Sequence, residues 1–471
     1  MLELTPALDS SKEEPLYIQL YEYIRGEIQN GNITPKSKLP SQRKLADYLK
    51  VSRNTIDAAY QQLLAEGYIQ SEARRGLFVV ELKHELFTTS GNEKNTIVRE
   101  KHSAWDKQSP SIRYDFSQGH IDLVHFPYEI WRKLTAHTLY ADHSHLFLSG
   151  DPQGEFPLRS HIAEYLYESR GVRCTAEHIV IGAGTQYLLS LLCSMIEKDI
   201  SYALEEPGFH RVRFVLKDCG IEVKSIPLDK KGIRVAELRK SEAGVAYVTP
   251  SHQFPSGTIM PISRRMELIE WAEENNGMII EDDYDGEFRY QGKPIPSLQG
   301  LDPHGNVVYL GTFSKSLIPS IRLSYMVLPS ALLACYRERH MLYKQTVSRL
   351  HQHTLSLFME QGHWGRHINR MRTIYKKRRA TLLFAIRNIM GEHIRIIGAD
   401  AGLHVLLEPS NGMSEMELIA SAEREGVKVY PVSIYYDTPP PFLKPRVLLG
   451  FGGLEENAIQ EGIRLLHRAW F

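Results

Sequence analysis

Near the start of the chain the apolar positions recur at helical spacing, with Tyr17, Leu20, Tyr21, Ile24 and Ile28 on one stripe. Pro35 and Pro40 punctuate the loop that follows, and Ser41 stands as an N-cap before a short helix carrying Leu45, Ala46 and Leu49. Ser52 is a second such cap. The helix after it places Ile56, Ala59, Tyr60, Leu63 and Leu64 on one face, and Gly67 can end it. Two short helices with a tight turn between them predict a helix-turn-helix. Tyr68 to Gln70 and Leu77 to Val80 predict a hairpin around Ala73, Arg74, Arg75 and Gly76. The texture then changes: Thr88 through Asn95 run without an apolar anchor, and 83–113 reads as a flexible linker. From Tyr114 to Phe471 apolar strands alternate with amphipathic helices, the pattern of an α/β domain. The expected organisation is a mainly helical module with a β wing over 10–82, the linker over 83–113, and an α/β domain over 114–471.

At 471 residues the chain is too long for one ordinary core, which agrees with that division. Lys plus Arg and Asp plus Glu both number 56, so a nucleic-acid footprint must be local. From Lys36 to Arg53 it is: Lys36, Lys38, Arg43, Lys44, Lys50 and Arg53 stand against a single acid, Asp47. Ser52, Arg53, Asn54 and Thr55 open the second helix of the pair. A helix entering a major groove reads base edges with its N-terminal residues, and its free amides favour phosphate. Arg75 and Gly76 give the hairpin a basic tip suited to an adjacent phosphate strand. A small docking domain with a solvated charged face is the rival reading. The coincidence of caps, local charge and wing favours double-stranded operator DNA.

Cys174, Cys193, Cys219 and Cys335 lack metal-ligand spacing, so they read as free thiols in a reducing compartment, with no metal site expected. No apolar run is long enough to cross a bilayer, and Met1 to Glu14 is acidic without a signal core. A cytoplasmic protein without membrane contact is expected.

The larger domain carries its chemistry in short strings. In YLGTFSKSLIPSIRLSYMV (309–327) a strand meets a loop with Thr312, Ser314 and Lys315, and Arg322 lies seven residues beyond the lysine. A lysine that condenses with an aldehyde needs a site where its amine can be neutral, while flanking hydroxyls and an arginine can hold a phosphate. GMIIEDDYDGEF (277–288) reads as a strand running into a loop, with Asp282 and Tyr284 on one face. Asp282 is the carboxylate that a pyridine nitrogen would require. Glu281, Asp283 and Asp285 read as a solvated turn. IVIGAGTQYLLSLLCSMI (179–196) brings Gly182 and Gly184 to a helix start near Thr185, where backbone amides can meet phosphate. LEEPGFHRV (204–212) sets Phe209 where its ring could stack on a pyridine, and TPSHQFPSG (249–257) is a further strand-to-loop transition.

PLYIQLYEYIRGEI, LPSQRKLADYLKVSRNTIDAAYQQLLAEGYI and RRGLFV resemble the winged helix of GntR-type repressors, which implies that Arg43, Arg53, Thr55 and the Gly76 wing touch DNA. The strings of the larger domain, in their order, resemble fold-type I enzymes of the class I aminotransferase kind, which use pyridoxal 5'-phosphate (PLP). A winged helix fused to such a domain resembles the MocR family of transcription regulators, and its GabR-like members in particular. The resemblance implies that Lys315 forms the internal aldimine, Asp282 pairs with the pyridine nitrogen and Tyr284 bonds the ring hydroxyl. Phe209 would stack on the ring, and Gly184, Thr185, Gln186, Thr312, Ser314 and Arg322 would line the phosphate. In GabR-like proteins the position matching Arg211 helps bind the effector carboxylate.

Three departures bear on the effector. Phe254 stands, beside His252 and Gln253, where aminotransferases commonly have Asn. Leu448 stands where they carry a carboxylate-binding arginine. Arg446 is on the same strand face and is either the substitute or a surface residue. YPVSIYYDTPPP (430–441) has no arginine, against γ-aminobutyrate as effector. The leading hypothesis is a PLP-dependent regulator that senses an amino compound by forming an external aldimine. It is expected to be a homodimer reading two half-sites, with head-to-tail domain exchange as one arrangement. Its aminotransferase-like domain would serve sensing, with residual turnover left open. The alternatives are an aminotransferase with an accessory DNA-binding head, and a DNA-binding dimer whose PLP fold is only structural.

Overall fold

The computed structural model describes residues 4–12, 14–81, 112–197, 199–290 and 295–471. The linker expected over 83–113 lies outside them except for its last two residues. The chain divides into two compact units, Met1–Lys107 and Gln108–Phe471.

In the first unit α1 (Leu16–Gln29), α2 (Gln42–Leu49) and α3 (Arg53–Ala65) precede a hairpin of β1 (Ile69–Glu72) and β2 (Gly76–Val79). Both predicted caps form: the Ser41 side chain accepts from Lys44 N–H and the Ser52 side chain from Thr55 N–H. Leu20, Ile24, Leu45, Ile56, Tyr60, Leu63, Ile69 and Val79 close one core. The strands pair antiparallel with Glu72 opposite Gly76. The turn needs positive φ at Arg74 (65°) and Gly76 (115°).

The second unit begins with β3 (Tyr114–Asp115). Its large sheet takes in β4 (Ile179–Gly182), β5 (Tyr202–Glu206), β6 (Val223–Asp229), β7 (Gly232–Ile233), β8 (Val245–Val248), β9 (Met278–Asp283), β10 (Val307–Thr312) and β11 (Ser324–Val327). The spatial order is β4-β11-β10-β9-β8-β5-β6-β7. The central strands β10, β9, β8, β5 and β6 run parallel, while β11, β4 and β7 pair antiparallel. Both faces are covered, as the near-continuous apolar strands require. Val308 and Leu310 join one core cluster, whereas Tyr309 and Val307 point into clusters on the other side. A smaller antiparallel sheet, β12-β13-β16-β15, follows from β12 (Ile394–Ile397), β13 (His404–Pro409), β15 (Tyr430–Pro431) and β16 (Val447–Gly450). A short parallel pair joins β14 (Val427–Lys428) to β3. The helix His363–Met390 buries Met371, Tyr375, Leu382 and Ile386 in the core shared with this sheet.

Among the described residues no helix is long and apolar enough to cross a membrane. The four cysteines are free thiols.

Candidate functional site

Parallel strands bring their C-terminal ends to one edge, and in open α/β sheets ligands bind there. Beyond the ends of β5, β8, β9 and β10 lies a cavity of about 490 Å³. Gly184, Thr185, Gln186, Phe209, Arg211, Asp282, Tyr284, Thr312, Ser314, Lys315 and Arg322 all line it. Eleven residues read from four separate strings of sequence therefore meet at one place.

At one end Gly184 (φ 106°) precedes the helix Thr185–Cys193, whose first two residues line the cavity and whose first amides have no partner within the helix. Arg322 lies against Gly184, where any Cβ would overlap its guanidinium, and donates to Ala183 O at 3.1 Å. Across from them Ser324 Oγ donates to Thr312 Oγ1 (2.8 Å) and Ser314 N–H to the same oxygen (3.2 Å). Helix amides, hydroxyls and one guanidinium make an anion cradle of the kind a phosphate monoester needs.

At the floor Asp282, on the buried end of β9, takes a hydrogen bond from Tyr247 on one oxygen, while Oδ1 is buried without a partner. Burial pushes its carboxyl up to about 7, partly offset by Tyr247. A cation, such as a protonated pyridine nitrogen, placed against Oδ1 would satisfy both the orphaned oxygen and the charge. Burial likewise brings Lys315 down to about 8; Asp285 raises it and Arg211 lowers it. Lys315 Nζ donates to the main-chain oxygen of Gln118. The orphaned Asp282 oxygen, the depressed lysine and the anion cradle together fit PLP.

One placement differs from expectation. Glu281, Asp283 and Asp285 do not form a solvated turn: they are buried at 0, 7 and 2% exposure. Glu281 accepts from the Leu298 and Gln299 amides (2.9 and 3.0 Å), Asp283 pairs with Arg170 (2.7 Å), and Asp285 with His252 Nδ1 (3.0 Å). β9 is an interior strand, so the acids on it and just beyond its buried end need partners from other elements, and those lie elsewhere in the sequence. Tyr284 lines the cavity, and its hydroxyl donates to His252 O (2.9 Å) and lies 2.9 Å from its Nδ1. Phe209 lines the cavity too, stacked on Phe254 at 4.1 Å and 2° and edge-to-face with Tyr284 at 5.1 Å.

Arg446 is not among the cavity residues. β13 and β16 pair Leu407 with Val447, which puts Arg446 beside Glu408, and its guanidinium bonds that carboxylate at 2.7 Å. Leu448 is buried in an apolar cluster with Phe254, Tyr284, Leu406, Val432 and Tyr435. Arg211 is exposed at the cavity, and no partner for its side chain is found among the described residues. Sequence reasoning missed Ser117, Gln118, Gly119 and Tyr247, all of which line the cavity. Tyr247 sits in the apolar run VAYV and carries no local mark of function.

In the winged-helix unit Arg43, Ser52, Arg53, Asn54, Arg75 and Gly76 are exposed and Thr55 half-buried. Ser52 and Thr55 spend their hydroxyls on each other (2.8 Å). Arg75 pairs with Glu72 and lies over Phe78 at 5.3 Å. Among the described residues, no side-chain partner is found for Arg43, Arg53 or Asn54.

Such a chain, a helix-turn-helix unit beside a fold-type I aminotransferase domain, is an HTH-type transcriptional regulator with an aminotransferase-like domain. Residues 16–79 match the family of bacterial regulatory proteins named gntR, and residues 114–446 match aminotransferase class I and II. The protein belongs to the MocR family. It is 46% identical over its whole length to all of the HTH-type transcriptional regulator YdeL of Bacillus subtilis (strain 168). It is 31% identical, over 98% of this chain and 95% of the other, to the probable rhizopine catabolism regulatory protein MocR of Rhizobium meliloti. Among solved structures, Pyrococcus horikoshii kynurenine aminotransferase in complex with PMP superposes with a TM-score of 0.67 at 26% identity, covering 77% of this chain and 91% of that one.

Proposed function

We propose that the protein is a cytoplasmic, PLP-dependent regulator that binds operator DNA and responds to a small amino compound. The observation that carries this reading is the shared cavity of Lys315, the orphaned oxygen of Asp282 and the anion cradle around Gly184 and Arg322. When bound, PLP supplies an aldehyde that condenses reversibly with primary amines. Lys315 would hold it, Asp282 would keep the ring nitrogen protonated, and Phe209 would cover one ring face. Thr185, Gln186, Thr312, Ser314 and Arg322 would bind the phosphate. Arg211, the cavity cation left over, would meet an anionic group of the effector. Arg43, Arg53, Asn54, Thr55 and the wing at Arg75 and Gly76 would meet DNA, with Ser52 shaping the start of α3.

An effector can shift DNA binding only by as much as it prefers one arrangement of the chain over another. The pinning of Arg446 on Glu408 and the apolar setting of Leu448 support sensing over efficient transamination. The test is an absorbance titration of PLP-loaded protein with a panel of amines, run beside operator footprinting. One compound is expected to change both. A compound panel that drives steady turnover with a keto acid and leaves the footprint unchanged would replace this reading with the enzyme.

A further inference from the structure

Lys315 has a partner within the chain that no motif marks. Its Nζ donates to the carbonyl of Gln118, 197 positions earlier. That carbonyl belongs to the stretch Ser117–Gly119 along the cavity wall. The stretch is held on its far side by β16: Gly450 N–H donates to Phe116 O at 2.8 Å, and a Cβ at 450 would stand 2.5 Å from Gln118 Cα and 2.6 Å from its nitrogen. Within the stretch, the amides of Gly119 and His120 turn back onto Ser117 Oγ and Ser117 O, both at 3.2 Å. Immediately upstream lies β3, and within the second unit two described residues, 112 and 113, precede it. In sequence, residues 82–111 then lead to the winged-helix unit.

A free lysine amine carries two N–H groups, and three when protonated. On condensation with an aldehyde, nitrogen forms a double bond to carbon and the carbonyl oxygen departs as water with both amine hydrogens. The committed nitrogen keeps at most one N–H, when protonated, and its place is fixed by the new bond. When a second amine displaces it, the lysine regains two hydrogens from the incoming amine and can donate again.

We propose that the Gln118 carbonyl is a positioning group for Lys315: it holds the amine while free and loses it when the amine is committed, so that the stretch Phe116–Ile121 registers the lysine's state at the start of the second unit. The proposal rests on the cofactor reading above. It is tested on the intact chain by hydrogen exchange with two ligands, PLP and pyridoxamine 5'-phosphate, which has the same ring and phosphate but no aldehyde. A hydrogen bond to a charged group is lost only with PLP. The amides of 116–121 are therefore expected to exchange roughly tenfold faster with PLP than with the amine form. In Lys315→Ala the two ligands should give equal, fast exchange. Borohydride reduction of a parallel sample reports whether Lys315 is linked. Equal exchange with both ligands in wild type, with Lys315 linked, overturns the proposal and leaves the cofactor reading standing. A ligand difference that persists in Lys315→Ala also overturns it. An unlinked Lys315 overturns the cofactor reading and the proposal with it.

Discussion

Lys315 sits where burial works against its charge. An amine near 8 is about one tenth neutral at pH 7, against roughly one part in three thousand for a free lysine. Only the neutral amine attacks an aldehyde, so the rate of PLP capture by the apo protein, followed by absorbance, should climb with pH and level off above about 8. Asp285 holds the lysine up by its negative charge, so Asp285→Asn should move the midpoint to lower pH. A rate that keeps rising toward the ordinary lysine range would contradict the assignment. The residue scale is also where reading from sequence stopped short. Lys315, Asp282 and Arg322 stand in short strings whose spacing carries their chemistry. The acceptor on Gln118 is a main-chain atom, and the partners of Glu281, Asp283 and Asp285 come from elsewhere in the chain. Nothing local distinguishes such acids from a solvated turn.

At the scale of elements the helix-turn-helix was legible because its signals are local: each helix starts on a serine that caps its own third residue. Ser52→Ala should loosen the start of α3 by about 1 kcal/mol, seen as roughly fivefold faster amide exchange over its first turn. Arg53→Ala should leave that exchange unchanged and weaken operator binding by about 1–3 kcal/mol if it reads a base. Unchanged operator affinity in Arg53→Ala would remove α3 as the recognition helix. The parallel sheet was legible only as texture. Its strand order, which brings β5, β8, β9 and β10 to one cavity, depends on pairings between distant segments, and periodicity along one strand does not encode them.

At the scale of the whole molecule the second unit leaves Tyr140, Phe147, Leu148, Leu342 and Tyr343 exposed. Arg349 donates to Leu148 O at 3.1 Å and so ties the helix beginning at residue 349 to one of these stretches. Apolar residues left on the surface this way support pairing with a second copy of the chain, which would present two winged helices to two half-sites. Sedimentation should give twice the chain mass, and Leu342→Asp should shift the equilibrium toward single chains. A single-chain mass at micromolar concentration in the wild type would remove the dimer.

PLP-dependent sensing turns on a covalent link at Lys315. Protein saturated with PLP, reduced with borohydride and digested, should carry a pyridoxyl group on Lys315 in the peptide spanning 309–322, and the Lys315→Ala protein should carry none there. A saturated wild-type protein whose 309–322 peptide comes through unmodified would contradict it.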